Sequence, residues 1–276
     1  MIDVSFANRP RCAPQRAGLH VVSVASRAPL GLQGSVILLG NFDGLHAGHH
    51  ALLTAARAVA VESGAKLGIM SCEPHPREFF TPSTPPFRLT TRRTKLRDIE
   101  NHDFDLAYVP CFDAAFAALS PEQFASQILS AGLHASHVVC GMDFRFGAER
   151  RGDANLLRQL GSRLGFGVTI VPDFKLGGNR VSSTSIRREI EAGCIVGANS
   201  GLGGHWVTPL HACEARPYLS LDASLVLPPA GSYAVRLISP RQESLPFGIV
   251  VEEGNRVTAG KALRLPAGEH LIEWLG

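Results

Sequence analysis

From about residue 34 to residue 195, short apolar runs alternate with helix-patterned stretches, and this rhythm constrains the fold more than any other feature of the chain. Val36–Leu39 is an unbroken apolar run of buried-strand length, and Leu52, Leu53, Ala56, Val59 and Ala60 behind it recur at helical spacing. Leu67–Met70, Leu106–Val109, His137–Cys140 and Val168–Val171 repeat the strand signal. Ser120-Pro121-Glu122-Gln123 reads as a helix start, with serine as N-cap and proline in the first turn, and predicts a helix running toward Gly132. A further helix is predicted over Asn155–Leu164. Strands separated by helices in this way form a mostly parallel sheet with helices on its faces, an α/β architecture of Rossmann-like type.

Beyond about residue 200 the pattern changes to glycine, proline and β-prone segments: Tyr233–Ile238, Ile249–Val251, Arg256–Thr258 and Leu271–Trp274, with Gly254-Asn255 as a hairpin turn. The expected organisation is an N-terminal extension over 1–19, an α/β domain over 20–199 and a small all-β domain over 200–276. A net charge of +3 is too small to argue for nucleic acid or a membrane surface as partner. No apolar run approaches the roughly 20 residues that span a bilayer. The six cysteines are scattered without a CxxC pair, which fits reduced thiols in a cytoplasm better than disulfides or a zinc site. Arginines 9, 11 and 16 are not followed by an apolar stretch, so the N-terminus reads as an irregular extension and not a signal peptide.

In a parallel sheet, ligands bind beyond the carboxyl ends of the strands. The stretch Gly40-Asn41-Phe42-Asp43-Gly44-Leu45-His46-Ala47-Gly48-His49 sits at such an end and opens a helix. Its glycines let backbone approach a phosphate, the new helix directs free N–H groups at it, and His46 and His49 are placed to donate to phosphate oxygens. The plainer reading is a turn with solvent-facing histidines. Ser182, Ser183 and Thr184 open a second helix and, with Arg187, make a second anion site, or else an N-cap cluster beside a solvated arginine. Phe144 and Phe146 around Arg145 frame a flat ring or belong to the core. Pro74-His75-Pro76 is a rigid turn that holds His75 toward a ligand or lies on the surface.

Taken together these stretches resemble the adenylyltransferase domain of bacterial bifunctional riboflavin kinase/FAD synthetases, a branch of the HxGH nucleotidyltransferases. Ser71-Cys72-Glu73-Pro74-His75-Pro76 is similar to that family's TFxPHP, with Ser and Cys as departures. Gly141–Gly147 followed by Arg151-Gly152-Asp153 is similar to its GxDFRFG segment, and Arg180–Arg187 to its RxSSTxIR motif. The resemblance covers nearly all of 20–205 and implies transfer of AMP from ATP to FMN, giving FAD and pyrophosphate. It implies His46, His49 and Arg187 as catalytic residues. Gly40, Asn41, Phe42, Asp43, Gly44, Gly48, Ser182, Ser183 and Thr184 would join them around ATP. Glu73, Pro74, His75, Pro76, Asp143, Phe144, Arg145 and Phe146 would face the flavin. Mg²⁺ would come with ATP, held largely by substrate oxygens. No protein ligand to it is assigned, and Asp43 is favoured as a structural residue that hydrogen-bonds backbone N–H groups. A related adenylyltransferase with another phosphorylated acceptor, or an inactive flavin-nucleotide sensor, are the other readings.

The second domain departs from the same family. Its approach, Gly201–Thr208, and the segment Leu227–Val235 are similar to the riboflavin kinase barrel. Where the family's GFPTAN segment supplies a magnesium-binding Thr and Asn, however, this chain has Ala215-Arg216-Pro217-Tyr218-Leu219-Ser220. The strand Glu269–Trp274 would carry the family's catalytic glutamate, but no counterpart of the family's final helix follows it. The expectation is a degenerate barrel without kinase activity.

Overall fold

A computed structural model describes residues 18–25, 28–83, 85–214, 218–238, 245–259 and 265–276. Six parallel strands form the first sheet: β1 His20–Val22, β2 Val36–Leu39, β3 Leu67–Met70, β4 Leu106–Tyr108, β5 His137–Gly141 and β6 Gly167–Val171. Their order across the sheet is β1-β4-β3-β2-β5-β6. The chain winds outward from β2 through β3 to β4, then returns to the other side of β2 for β5 and β6. The crevice at the carboxyl ends of β2 and β5 is therefore the switch point where ligands of open parallel sheets bind.

Alternation along the strands explains the two cores. Ile37, Leu39, Val138 and Cys140 face one side and pack with Phe124, Leu129, Leu157 and Leu160. Val36, Leu38, Ile69 and Val139 face the other, against Leu53, Ala56 and Ala60 of the helix Ala47–Ser63 and Ile99 of the helix Arg92–Asn101. All four residues of β2 are buried, as a central strand covered on both faces requires.

Six further strands close an antiparallel barrel: β7 Trp206–Ala212, β8 Leu219–Leu221, β9 Gly231–Leu237, β10 Phe247–Val251, β11 Arg256–Ala259 and β12 Gly268–Trp274. Gly254 and Asn255 take left-handed conformations between β10 and β11, as the expected turn demands. Two helices pack against the barrel, Ser183–Glu191 and Ile195–Leu202. Ile186, Ile190, Ile195 and Ala198 share one hydrophobic cluster with Trp206, Leu210, Val235, Ile272 and Trp274. Among the described residues, no helix is long and apolar enough to cross a membrane.

Two local readings needed revision. β1 was not anticipated, because a three-residue, half-exposed edge strand carries almost no pattern. The helix after Ser120 has the expected cap, with Ser120 Oγ accepting from Gln123 N at 3.2 Å and Gln123 Oε1 accepting from Ser120 N at 2.9 Å. After one turn it widens into π-helical Phe124–Ser130. The N-terminal extension lies outside the described residues up to residue 17.

Candidate active site

A cavity of about 670 Å³ opens at the switch point, within the roughly 300–1,000 Å³ of small-molecule sites. Its floor is the turn after β2. Phe42 has φ 45°, and its ring lies over Gly40 so closely that a Cβ there would stand 2.7 Å from the ring. Glycine is therefore required for the turn to fold back on itself. His46 is the N-cap of the helix Ala47–Ser63, and its Nδ1 accepts the backbone N–H of His49 at 3.3 Å. That bond places the proton of neutral His46 on Nε2. His49 Nδ1 lies 2.8 Å from Gly44 O, which can only accept, so neutral His49 has its proton on Nδ1 and a bare Nε2. The two rings stack with centroids 3.6 Å apart. A Cβ on Gly48 would meet the His46 ring at 3.1 Å and Val181 O at 3.3 Å. Burial pushes the His46 pKa down to about 2 and that of His49 to about 4, so both are neutral in the ligand-free protein. The two expected donors thus differ in the ligand-free protein: neutral His46 offers its Nε2–H, and His49 would donate from Nε2 only with a second proton.

Asp43, 1% exposed, borders the cavity, but its carboxylate is taken up by the protein's own donors. Oδ1 accepts from Leu89 N, Thr90 N and Thr90 Oγ1, each at 3.0 Å, and Oδ2 accepts from Arg187 Nη2 at 2.7 Å. Burial alone would raise its pKa, but Arg88 and Arg187 outweigh it and hold the carboxyl below the usual range. Asp43 hydrogen-bonds backbone as expected, but the backbone belongs to the distant segment Phe87–Thr90 and not to its own turn.

The helix Ser183–Glu191 supplies the opposite wall. Ser182 caps it reciprocally with Ser185, at 3.0 and 3.2 Å. Ser183 Oγ donates to Asp43 O at 3.0 Å, which ties this helix start to the first turn. Thr184 lines the cavity. Arg187 donates Nε–H to Phe87 O at 2.6 Å while its guanidinium sits 5.3 Å from the Phe87 ring centroid. Both helix N-termini therefore aim at one volume, which suits a polyanion.

On the other side, His75 caps the short helix Pro76–Phe80, its Nδ1 accepting from Arg77 N at 3.1 Å, and burial lowers its pKa to about 4. Asp143 is paired with Arg180, which also approaches Asp173 at 3.4 Å. Phe144 lines the cavity and stacks on Phe146 at 5.6 Å. Arg145 lies at the exposed edge, 3.5 Å from Asp153.

Several residues expected at the flavin, and Gly44 expected at ATP, do not line this cavity. Glu73 turns inward to Arg88 and Lys95, each at 2.7 Å, because two buried cations need its carboxylate. Phe146 is buried in the core, and Glu73, Pro74, Pro76 and Gly44 are outside the cavity lining. Conversely, Arg77, Phe87, Arg150, Asp173 and Phe174 line it without having been singled out, and Arg180 was seen only as the first letter of its motif. Phe87 carried no sequence signal: a phenylalanine after two prolines does not show that two guanidiniums, Arg77 at 4.5 Å and Arg187, pack on its ring.

A parallel sheet with a glycine-histidine turn at its switch point, faced by a second capped helix and an arginine, defines a nucleotidyltransferase of the HxGH class. The chain belongs to the FAD synthetase family, whose match spans residues 29–185. It is 33% identical over 265 residues to the bifunctional riboflavin kinase/FMN adenylyltransferase of Escherichia coli K12, covering 93% of this chain and 82% of that protein. The bifunctional riboflavin kinase/FMN adenylyltransferase of Pseudomonas fluorescens is 39% identical over 160 residues, or 58% of this chain and 51% of that one. A crystal structure titled as a macrolide-efflux protein from Streptococcus pneumoniae shares the fold, with a TM-score of 0.75 at 22% identity over 93% of this chain and 88% of the other.

Proposed function

We propose that this protein is an FMN adenylyltransferase whose barrel no longer phosphorylates riboflavin. In the reaction, an FMN phosphate oxygen bonds to the α-phosphorus of ATP while the bond from that phosphorus to the bridging oxygen breaks, so that FAD forms and pyrophosphate leaves. The nucleophile is already an anion, so the protein's work is alignment and charge neutralisation. The observation that carries this reading is the convergence of the His46/His49 turn and the Ser182–Arg187 helix start on one cavity. His46 Nε2–H, the main-chain N–H groups at both helix starts, Thr184 and Arg187 would hold the triphosphate. His75, Phe144 and Phe174 would border the flavin.

Among the described residues no group of three or more His, Cys, Asp or Glu is placed to hold a metal ion. Asp43 is already engaged with Arg187, and Asp143 with Arg180. Magnesium would arrive on ATP and neutralise phosphate charge there. The departures at 71–72 do not argue for another acceptor, since Cys72 is in the core and Ser71 Oγ donates to Asn41 O at 2.7 Å.

Loss of kinase chemistry is supported by where the barrel's polar groups are spent. Tyr218 lies with its ring 4.6 Å from the Arg256 guanidinium, and Ser220 sits within β8. Glu269 is paired with Arg93, and Glu273 with Arg236 at 2.6 Å. Ala215–Pro217 lies outside the described residues. The test of the transferase reading is incubation with MgATP and a panel of phosphorylated acceptors. FAD and pyrophosphate in equal amounts from FMN are expected, and turnover of another phosphate in preference to FMN would reject it.

A further inference from the structure

The barrel touches the nucleotide site through the segment Phe87–Thr90. On the barrel side, Arg88 N donates to Ser224 O at 3.1 Å, Val226 N donates to Arg88 O at 2.9 Å, and Trp206 Nε1 donates to Leu89 O at 2.8 Å. Leu89 is fully buried within the barrel's own hydrophobic cluster. On the other side, the same four residues give Asp43 its backbone donors and give Arg187 its carbonyl acceptor. Arg187 is tied to the barrel a second time, because Ile186 and Ile190 on its helix lie in that same cluster. The segment's main chain pairs with the barrel, bridging Leu225 at Arg88, while on the sheet side it is the Arg88 side chain that pairs with Glu73 and Glu78.

We infer that the barrel is a positioning element for adenylyl transfer, setting the Phe87–Thr90 segment and thereby Arg187 and Asp43, with Trp206 as the residue whose side-chain hydrogen bond anchors that segment. This rests on the proposal that Arg187 holds the ATP phosphates. It accounts for a barrel that keeps its core and its contact with the first domain while the carboxylates of β12 are tied up in ion pairs, Glu273 with Arg236 inside the barrel and Glu269 with Arg93 of the first domain. A displacement of even about 1 Å at such a site is enough to weaken transition-state contacts substantially.

The test compares Trp206→Phe with Ile249→Val, which trims the same core from β10, a strand not paired with β7, in steady-state FAD synthesis. For Trp206→Phe, ATP KM should rise about five- to twentyfold while FMN KM stays within twofold. Ile249→Val should leave both KM values unchanged. A merely structural loss lowers the active fraction, and with it apparent kcat, and moves neither KM. Unchanged ATP KM in folded Trp206→Phe overturns the inference. Native-state hydrogen exchange on the wild-type chain provides a measurement that needs no variant. The amides of Leu89 and Thr90 should open together with those of β7, and opening together with β2 instead overturns the inference. Wild-type protein that makes no FAD would reject the transferase reading itself, a result distinct from either of these.

Discussion

The nucleotide cavity and the barrel differ in what their polar groups are free to do. Around the cavity, buried charges are matched internally, as Asp43 is by Arg187, while His46 Nε2, Thr184 and two helix N-termini remain open toward one volume. In the barrel, the carboxylates on β12 are already committed to Arg93 and Arg236. The comparison teaches that packing keeps a fold, whereas uncommitted polar atoms keep an activity. A barrel with Trp206 and Trp274 stacked at 4.9 Å in its core holds its fold by packing, independently of what its polar groups do.

The largest effect that would break or sharpen this contrast is acid destabilisation originating in the nucleotide half. His46, His49 and His75 have folded pKa values lowered by burial to about 2, 4 and 4. Below the unfolded value near 6.5 the unfolded chain takes up protons that the folded site refuses, so stability is full above that pH and falls as pH drops. The slope is about 1.4 kcal/mol per pH unit for each histidine, or about 4 for the three together. Denaturant melts between pH 7 and 5 should show this loss, partly offset by buried Asp98, whose pKa is pushed up to about 6, and a flat profile would contradict the burial argument.

Next comes Arg88→Met. The guanidinium is 2.7 Å from Glu73, 3.1 Å from Glu78 and 3.6 Å from Asp43, so its removal strands buried carboxylates. A loss of about 3–5 kcal/mol is expected in urea unfolding. A comparable but catalytic effect is expected for His46→Ala: kcat should fall about 10²–10³-fold with FMN KM unchanged, measured by FAD formation. The smallest effect is Arg93→Ala, which frees Glu269 on the barrel. The pair is exposed, so stability should change by less than about 1 kcal/mol, and FAD synthesis should not change. Kinase activity appearing in that variant would show that Glu269 was merely restrained.

Much of this was legible in the chain. The strand-helix rhythm and the four ordered motifs led to the parallel sheet, and the structure brings His46, His49, Ser182–Thr184, Arg187, His75 and Phe144 to one cavity. What was not legible depends on distant partners. Nothing local to Glu73 tells that Arg88 and Lys95 will turn it inward. Nothing in Phe87-Arg88-Leu89-Thr90 tells that this segment will bridge two domains, since its hydrogen bonds reach residues more than a hundred positions away at Trp206 and Ser224. The proton positions on the two histidines likewise needed the Gly44 carbonyl and the His49 amide.

The most direct test of the central claim gives the protein MgATP with either riboflavin or FMN in parallel and separates the flavins. The account predicts FAD from FMN and no product from riboflavin. FMN accumulating from riboflavin, or no FAD from FMN, would contradict it.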